Sequence, residues 1–140
     1  MYIINGRVKT MAGPEYENGV VHIVGKSIAQ VGERGRIGVS PAKGEKVLDV
    51  CGALVMPGLI EAHCHMGITE EKKGMEGDDC NETVNPLTPW LRAIDAIHTM
   101  DAAFDDAVRA GITAAMIGPG SANVAGGQFA LLKTKGRRVD

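Results

Sequence analysis

The chain has 140 residues, 44% of them hydrophobic and 23% charged, with fifteen Lys and Arg against seventeen Asp and Glu for a net charge of −2. That mixture belongs to a folded domain with its own core and excludes a disordered tail or a fibrous repeat. The slight negative charge argues against nucleic acid or an anionic membrane as partner.

The opening residues 1–4 are apolar but are cut off by Asn5, Gly6 and Arg7. No apolar run approaches the ~18 residues of a membrane span or the pattern of a secretory leader. The chain therefore reads as cytoplasmic, and its three cysteines, Cys51, Cys64 and Cys80, as reduced and mostly buried thiols, since they form no Cys-x-x-Cys pair. Nineteen glycines and only 4% aromatics predict a core of aliphatic side chains around many tight turns.

Residues 1–56 read as a β-rich segment, with strands at 2–4, 19–24, 27–31 and 46–49 separated by turn formers. Asn5-Gly6 is a tight-turn signal, and Gly25-Lys26 sits between two apolar runs as a hairpin turn. Gly25-Lys26-Ser27 is not a phosphate loop, because position 20 is Val where the upstream glycine is required. His22 alternates with Val21 and Ile23 and reads as a residue on one face of the sheet.

After Pro57-Gly58 the pattern changes, so that 57–140 reads as a second domain. Residues 59–65 form a strand candidate, and 67–89 a long acidic loop that is a place for function rather than a plain connection. Its Glu70, Glu71, Asp78 and Asp79 read first as solvated charges. Trp90, Leu91, Ile94 and Ile97 fit one face of a short helix, with Trp90 as a core or interface anchor and His98 as a satisfied residue near the helix end. A second helix is predicted over 101–110, burying Phe104, Ala107 and Val108 and ended by Gly111. The apolar run 112–117 has the signature of a strand buried on both faces of a parallel sheet, and 129–133 could be one more strand. The Gly-rich loop 118–128, with Ser121 and Asn123, is either a backbone-amide site for a carboxylate or carbonyl, or an ordinary turn.

His63 and His65 carry the chemistry. Two residues apart on a strand, they leave the same face while Cys64 points to the other, so two imidazoles can grip one cation. Two ligands do not complete a site, and a chance His-x-His is the bland alternative.

The run Pro57-Gly58-Leu59-Ile60-Glu61-Ala62-His63-Cys64-His65 resembles the signature of the amidohydrolase superfamily. It departs from that signature only at Glu61, where Asp is commoner. The later segments Ala110-Gly111-Ile112-Thr113 and 118–128 are similar to imidazolonepropionase-related members. The resemblance implies an α/β fold: an N-terminal β-sandwich segment, then the first two or three βα units of an incomplete metal-dependent (β/α)8 TIM barrel. It implies His63 and His65 as ligands of a divalent metal, most simply zinc, and Ser121 and Asn123 near a small-molecule substrate. The metal would bring a bound water to a near-neutral pKa for attack on an amide or cyclic amide C–N bond. Further ligands and the proton-transferring Asp would lie beyond residue 140, because a whole barrel takes ~250 residues. The chain ends at 136–140 without a stop signal. It is thus expected to be an inactive N-terminal portion that self-associates through uncovered strand edges. The competing reading is a non-catalytic metal-binding or assembly module.

Overall fold

A computed structural model describes residues 1–71, 73–136 and 138. Arg137, Val139 and Asp140 of the closing segment 136–140 lie outside the described residues. The chain divides into two compact units, Met1–Pro57 and Gly58–Asp140.

The first unit is one mixed sheet built on β1 (Tyr2–Lys9), β2 (Glu15–Val24), β3 (Ser27–Glu33), β4 (Val47–Asp49) and β5 (Leu54–Val55). The order is β3-β2-β1-β4, with β5 also pairing with β1. β1 and β2 are antiparallel, as are β2 and β3, whereas β4 and β5 run parallel to β1. Tyr2, Ile4, Gly6 and Val8 alternate inward along β1, as a period of two requires, and Tyr2 and Ile4 form a buried cluster with Val20 and Ile37. Among the described residues this is a single sheet, so the expected sandwich is present only as one layer.

Asn5-Gly6 is not a turn. β1 continues through it, and the pairing with β2 shifts register on either side of Gly6. Asn5 takes a left-handed conformation at φ 59°, which Asn tolerates better than most residues. Its amide Nδ2 donates to Asp49 Oδ2 at 2.7 Å, and its carbonyl accepts from Gly52 N at 2.6 Å. A Cβ on Gly6 would stand 2.7 Å from a Val55 methyl, so the pair makes a bulge that lets β5 close against β1. The Gly25 hairpin forms as its sequence predicts, with φ 61°.

The second unit places β6 (Leu59–Cys64), β7 (Ile112–Ile117) and β8 (Ala130–Lys133) in one sheet, with a 3₁₀ turn at Gly74–Gly77 and helices α1 (Ala93–Ala96) and α2 (Ala102–Arg109) between β6 and β7. β6 and β7 are parallel, but β8 returns antiparallel to β7. Only one parallel pair is therefore present among the described strands of this unit, and residues 129–133 do not begin a third βα unit. Gly58 has a specific reason to be glycine: a Cβ there would lie 2.1 Å from Thr113 Cγ2 on β7. The motif that opens β6 thus fits a close approach to its neighbouring strand.

Helix α1 is much shorter than the periodicity of Trp90, Leu91, Ile94 and Ile97 predicts. Leu87 and Arg92 instead form parallel bridges with Ala125 and Gln128, so the chain before α1 stays extended. Trp90 is consequently 63% exposed and is not a core anchor. α2 begins at Asp101, whose carboxylate accepts from Ala103 N, and ends before Gly111 at φ 84°. Phe104 seats it, while Val108 is not buried and stays 39% exposed. On β7 only Ala115 and Ile117 are fully buried, both on one face, because the helical layer covers that side alone. Of the cysteines, Cys80 is buried and Cys64 half-buried, but Cys51 is exposed on a turn with φ 49°.

Candidate metal centre

β6 delivers His63 and His65 at the C-terminal end of the parallel pair, the end at which parallel α/β sheets place reactive groups. Alternation does the sorting. Cys64, between them, packs against the core of Ile68, Phe104 and Ile117, so the imidazoles leave the opposite side. Their ring centroids lie 5.3 Å apart with the planes edge to face at 89°. At that separation nitrogens of both rings can reach a shared cation.

The orientation of His65 is fixed by β7. Gly118, the residue after β7, donates its N–H to Cys64 O at 3.1 Å, and His65 Nδ1 lies 2.7 Å from Gly118 O. A carbonyl oxygen can only accept, so Nδ1 carries the proton and Nε2 keeps its lone pair for a ligand. A second bond of this kind, to a backbone carbonyl, is what orients metal-binding histidines. His63 packs against the Phe129 ring at a centroid distance of 5.2 Å. Glu61, at the position where the motif more often has Asp, accepts from His63 N at 3.0 Å through Oε1 and so holds the backbone rather than the ring.

These donors fit two positions of a metal centre. Among the described residues no group of three or more His, Cys, Asp or Glu is placed to hold an ion. The acidic loop is engaged elsewhere: Glu70 Oε2 meets His98 Nδ1 at 2.6 Å, and Asp78 Oδ1 accepts from Thr69 Oγ1 and Cys80 N. His22 also belongs to structure, stacked on Tyr2 at 4.0 Å and bonded to Glu45.

Ser121 is exposed, and Asn123 Nδ2 donates to Glu82 O at 2.7 Å. The loop 118–128 is sewn to the acidic loop by Gly120 N to Cys80 O, 2.7 Å, and by Ala122 N to Asn81 Oδ1, 3.1 Å. Asn123 Oδ1 is buried without a partner among the described residues. Among the described residues no hydrogen bond or ring contact joins Ser121 or Asn123 to either imidazole. Gly118 and Phe129, which do touch the pair, are the residues that reading the sequence missed. The one signal was Gly118 standing directly after a buried strand.

No family model matches the chain. Amidohydrolase tasK of Hapsidospora irregularis is 35% identical over 88 residues, 62% of this chain and 9% of that protein. A 5-methylthioadenosine/S-adenosylhomocysteine deaminase of Syntrophobacter fumaroxidans is 34% identical over 94 residues, 66% of this chain and 20% of its own length. The crystal structure of an amidohydrolase from Thermotoga maritima superposes on 98% of the chain with a TM-score of 0.86 and 30% identity. The chain belongs to the amidohydrolase superfamily. It spans 34% of the Thermotoga amidohydrolase and at most a fifth of the two curated relatives, so the shared region is a portion of each of those chains. Among the superfamily's relatives of this chain is also a 5'-deoxyadenosine deaminase of Methanococcoides burtonii, 41% identical over 93 residues, 64% of this chain and 18% of that protein. Amidohydrolases and deaminases share hydrolysis of a carbon–nitrogen bond.

Proposed function

We propose that this amidohydrolase-superfamily chain supplies His63 and His65 as two ligands of a divalent metal, most simply zinc, in a hydrolase that cleaves a C–N bond of a small molecule. The observation that carries the reading is the paired imidazoles at the end of β6, with His65 held so that Nε2 is free. A metal in such a site lowers the pKa of a water enough for it to attack the carbon that bears the nitrogen. The part played by this chain is to hold two neutral imidazoles in one orientation before the ion arrives, which reduces the ordering cost of binding it.

In this reading β6, α2 and β7 form the first unit of a (β/α)8 barrel, and further ligands and the proton-transferring group come from elsewhere in it. The relatives named as deaminases support release of ammonia from an amino-substituted ring, and the amidohydrolases support an amide or cyclic amide. The 140 residues alone are expected to hold metal weakly and to be inactive, because two ligands leave a site incomplete. We also read the setting as cytoplasmic. No described helix is long and apolar enough to cross a membrane, and the three cysteines are free. Self-association follows from the open edge of β6, where Ile60 is 69% exposed. Sedimentation should show association that rises with concentration and disappears in Ile60→Lys; a monomer at every concentration contradicts it.

The activity is tested on the protein as isolated from its source, by zinc content and by ammonia release from amides and aminopurines. Zinc and turnover should both be lost in His63→Ala and in His65→Ala, with activity down by at least ~100-fold. Full activity in a metal-free preparation, or in both variants, would refute the proposal.

A further inference from the structure

The loop end of the β7–β8 hairpin meets both imidazoles at once, through two residues with no assigned role. Ile117 and Ala130 are paired across this hairpin, so Gly118 and Phe129, the next residues outward, face one another. Gly118 O holds His65 Nδ1 at 2.7 Å, while the Phe129 ring stands 5.2 Å from the His63 ring at a tilt of 56°. The two supports are interlocked. A Cβ built on Gly118 would lie 2.3 to 2.4 Å from three atoms of the Phe129 ring, so the aromatic ring rests directly on the bare Cα. No other side chain than glycine's hydrogen leaves room for the ring there.

We propose that Gly118 and Phe129 act as one positioning device for the His63–His65 pair, the carbonyl setting the tautomer of His65 and the ring limiting the rotation of His63. The consequence for metal binding rests on the metal-centre reading above, whereas the tautomer and ring order do not. Phe129 remains 41% exposed, more than a residue kept only for core packing would be, and its exposed position is beside His63. The hairpin thus delivers one polar and one apolar support from its two arms, and a change at Gly118 reaches both histidines because it must displace the ring.

The test uses the ¹⁵N-labelled chain without metal, in long-range ¹H–¹⁵N spectra at a pH where both rings are neutral, followed by titration with zinc. The wild type should show His65 with its proton on Nδ1. Gly118→Ala should mix the tautomers, and adding Phe129→Ala to it should restore the Nδ1–H form, because removing the ring makes room for the methyl group. Phe129→Ala alone should leave the His65 tautomer unchanged, free the His63 ring, and weaken zinc binding about tenfold, the usual size of a loss in the outer shell. Phe129→Tyr should keep wild-type affinity, and Leu131→Ala on the exposed side of β8 serves as the control for stability. His65 protonated on Nε2 in the wild type, or a double variant no better than Gly118→Ala, overturns the proposal. If the wild type binds no zinc, the metal-centre reading fails while the tautomer pattern still decides the positioning role.

Discussion

Glu45 ties together separate parts of the N-terminal sheet. Its Oε1 accepts from the Met1 ammonium at 2.7 Å and faces His22 Nε2 at 3.0 Å, and its Oε2 accepts from Ala42 N at 3.0 Å. The ammonium hydrogen bond, then the Ala42 amide and His22, lower its pKa from 4.5 to about 2. A carboxyl depressed in the folded state stabilises fully above its ordinary value and stops doing so as the pH falls through the folded one. The melting temperature should therefore drop as the pH goes from above 4.5 to about 2, and Glu45→Gln should be less stable at neutral pH with a flatter acid limb. Equal slopes for the two proteins would contradict this assignment. At this scale the sequence was informative where a role depends on near neighbours. That His63 and His65 leave the strand together was legible because alternation puts i and i+2 on one side. Gly118 and Phe129 were not, because their contacts with the histidines form only once β6, β7 and β8 are side by side.

Among the elements, α2 depends most on a single polar residue. Asp101 is buried, its Oδ1 caps the helix at Ala103 N, 2.7 Å, and its Oδ2 accepts from Glu71 N in the acidic loop, 2.7 Å. Asp101→Ala should cost about 1–2 kcal/mol in urea unfolding, toward the upper end for a lost N-cap because a second amide loses its acceptor. Hydrogen exchange should accelerate at Ala103 and Glu71 together. Acceleration at Ala103 alone would mean that the loop is held by other contacts. The ends of α2 were readable from Asp101 and Gly111, since capping is local chemistry. The stretch around Trp90 was not, because backbone pairing of Leu87 with Ala125 and of Arg92 with Gln128 overrides a helical period. Asn5-Gly6 misled for a similar reason: its left-handed residue serves a bulge, and a bulge is defined by the partner strand.

At the scale of the whole chain, a parallel β6–β7 pair with two histidines at its C-terminal end is what the opening motif implied, while the number of βα units was overestimated. The run 129–133 is strand-like in composition, and nothing local distinguishes an antiparallel return from a parallel crossover. The antiparallel β8 is also what brings Phe129 to the site, so the part of the topology that the sequence left open is the part that braces the histidines. The central claim is that His63 and His65 act as one ligand pair. It is tested most directly by titrating the chain with cobalt(II) while following the imidazole resonances of all four histidines. His63 and His65 should shift together with a single midpoint, His22 and His98 should stay in place, and His63→Ala should abolish the response at His65. Independent midpoints for the two rings, or a response at His65 that survives removal of His63, would contradict the account.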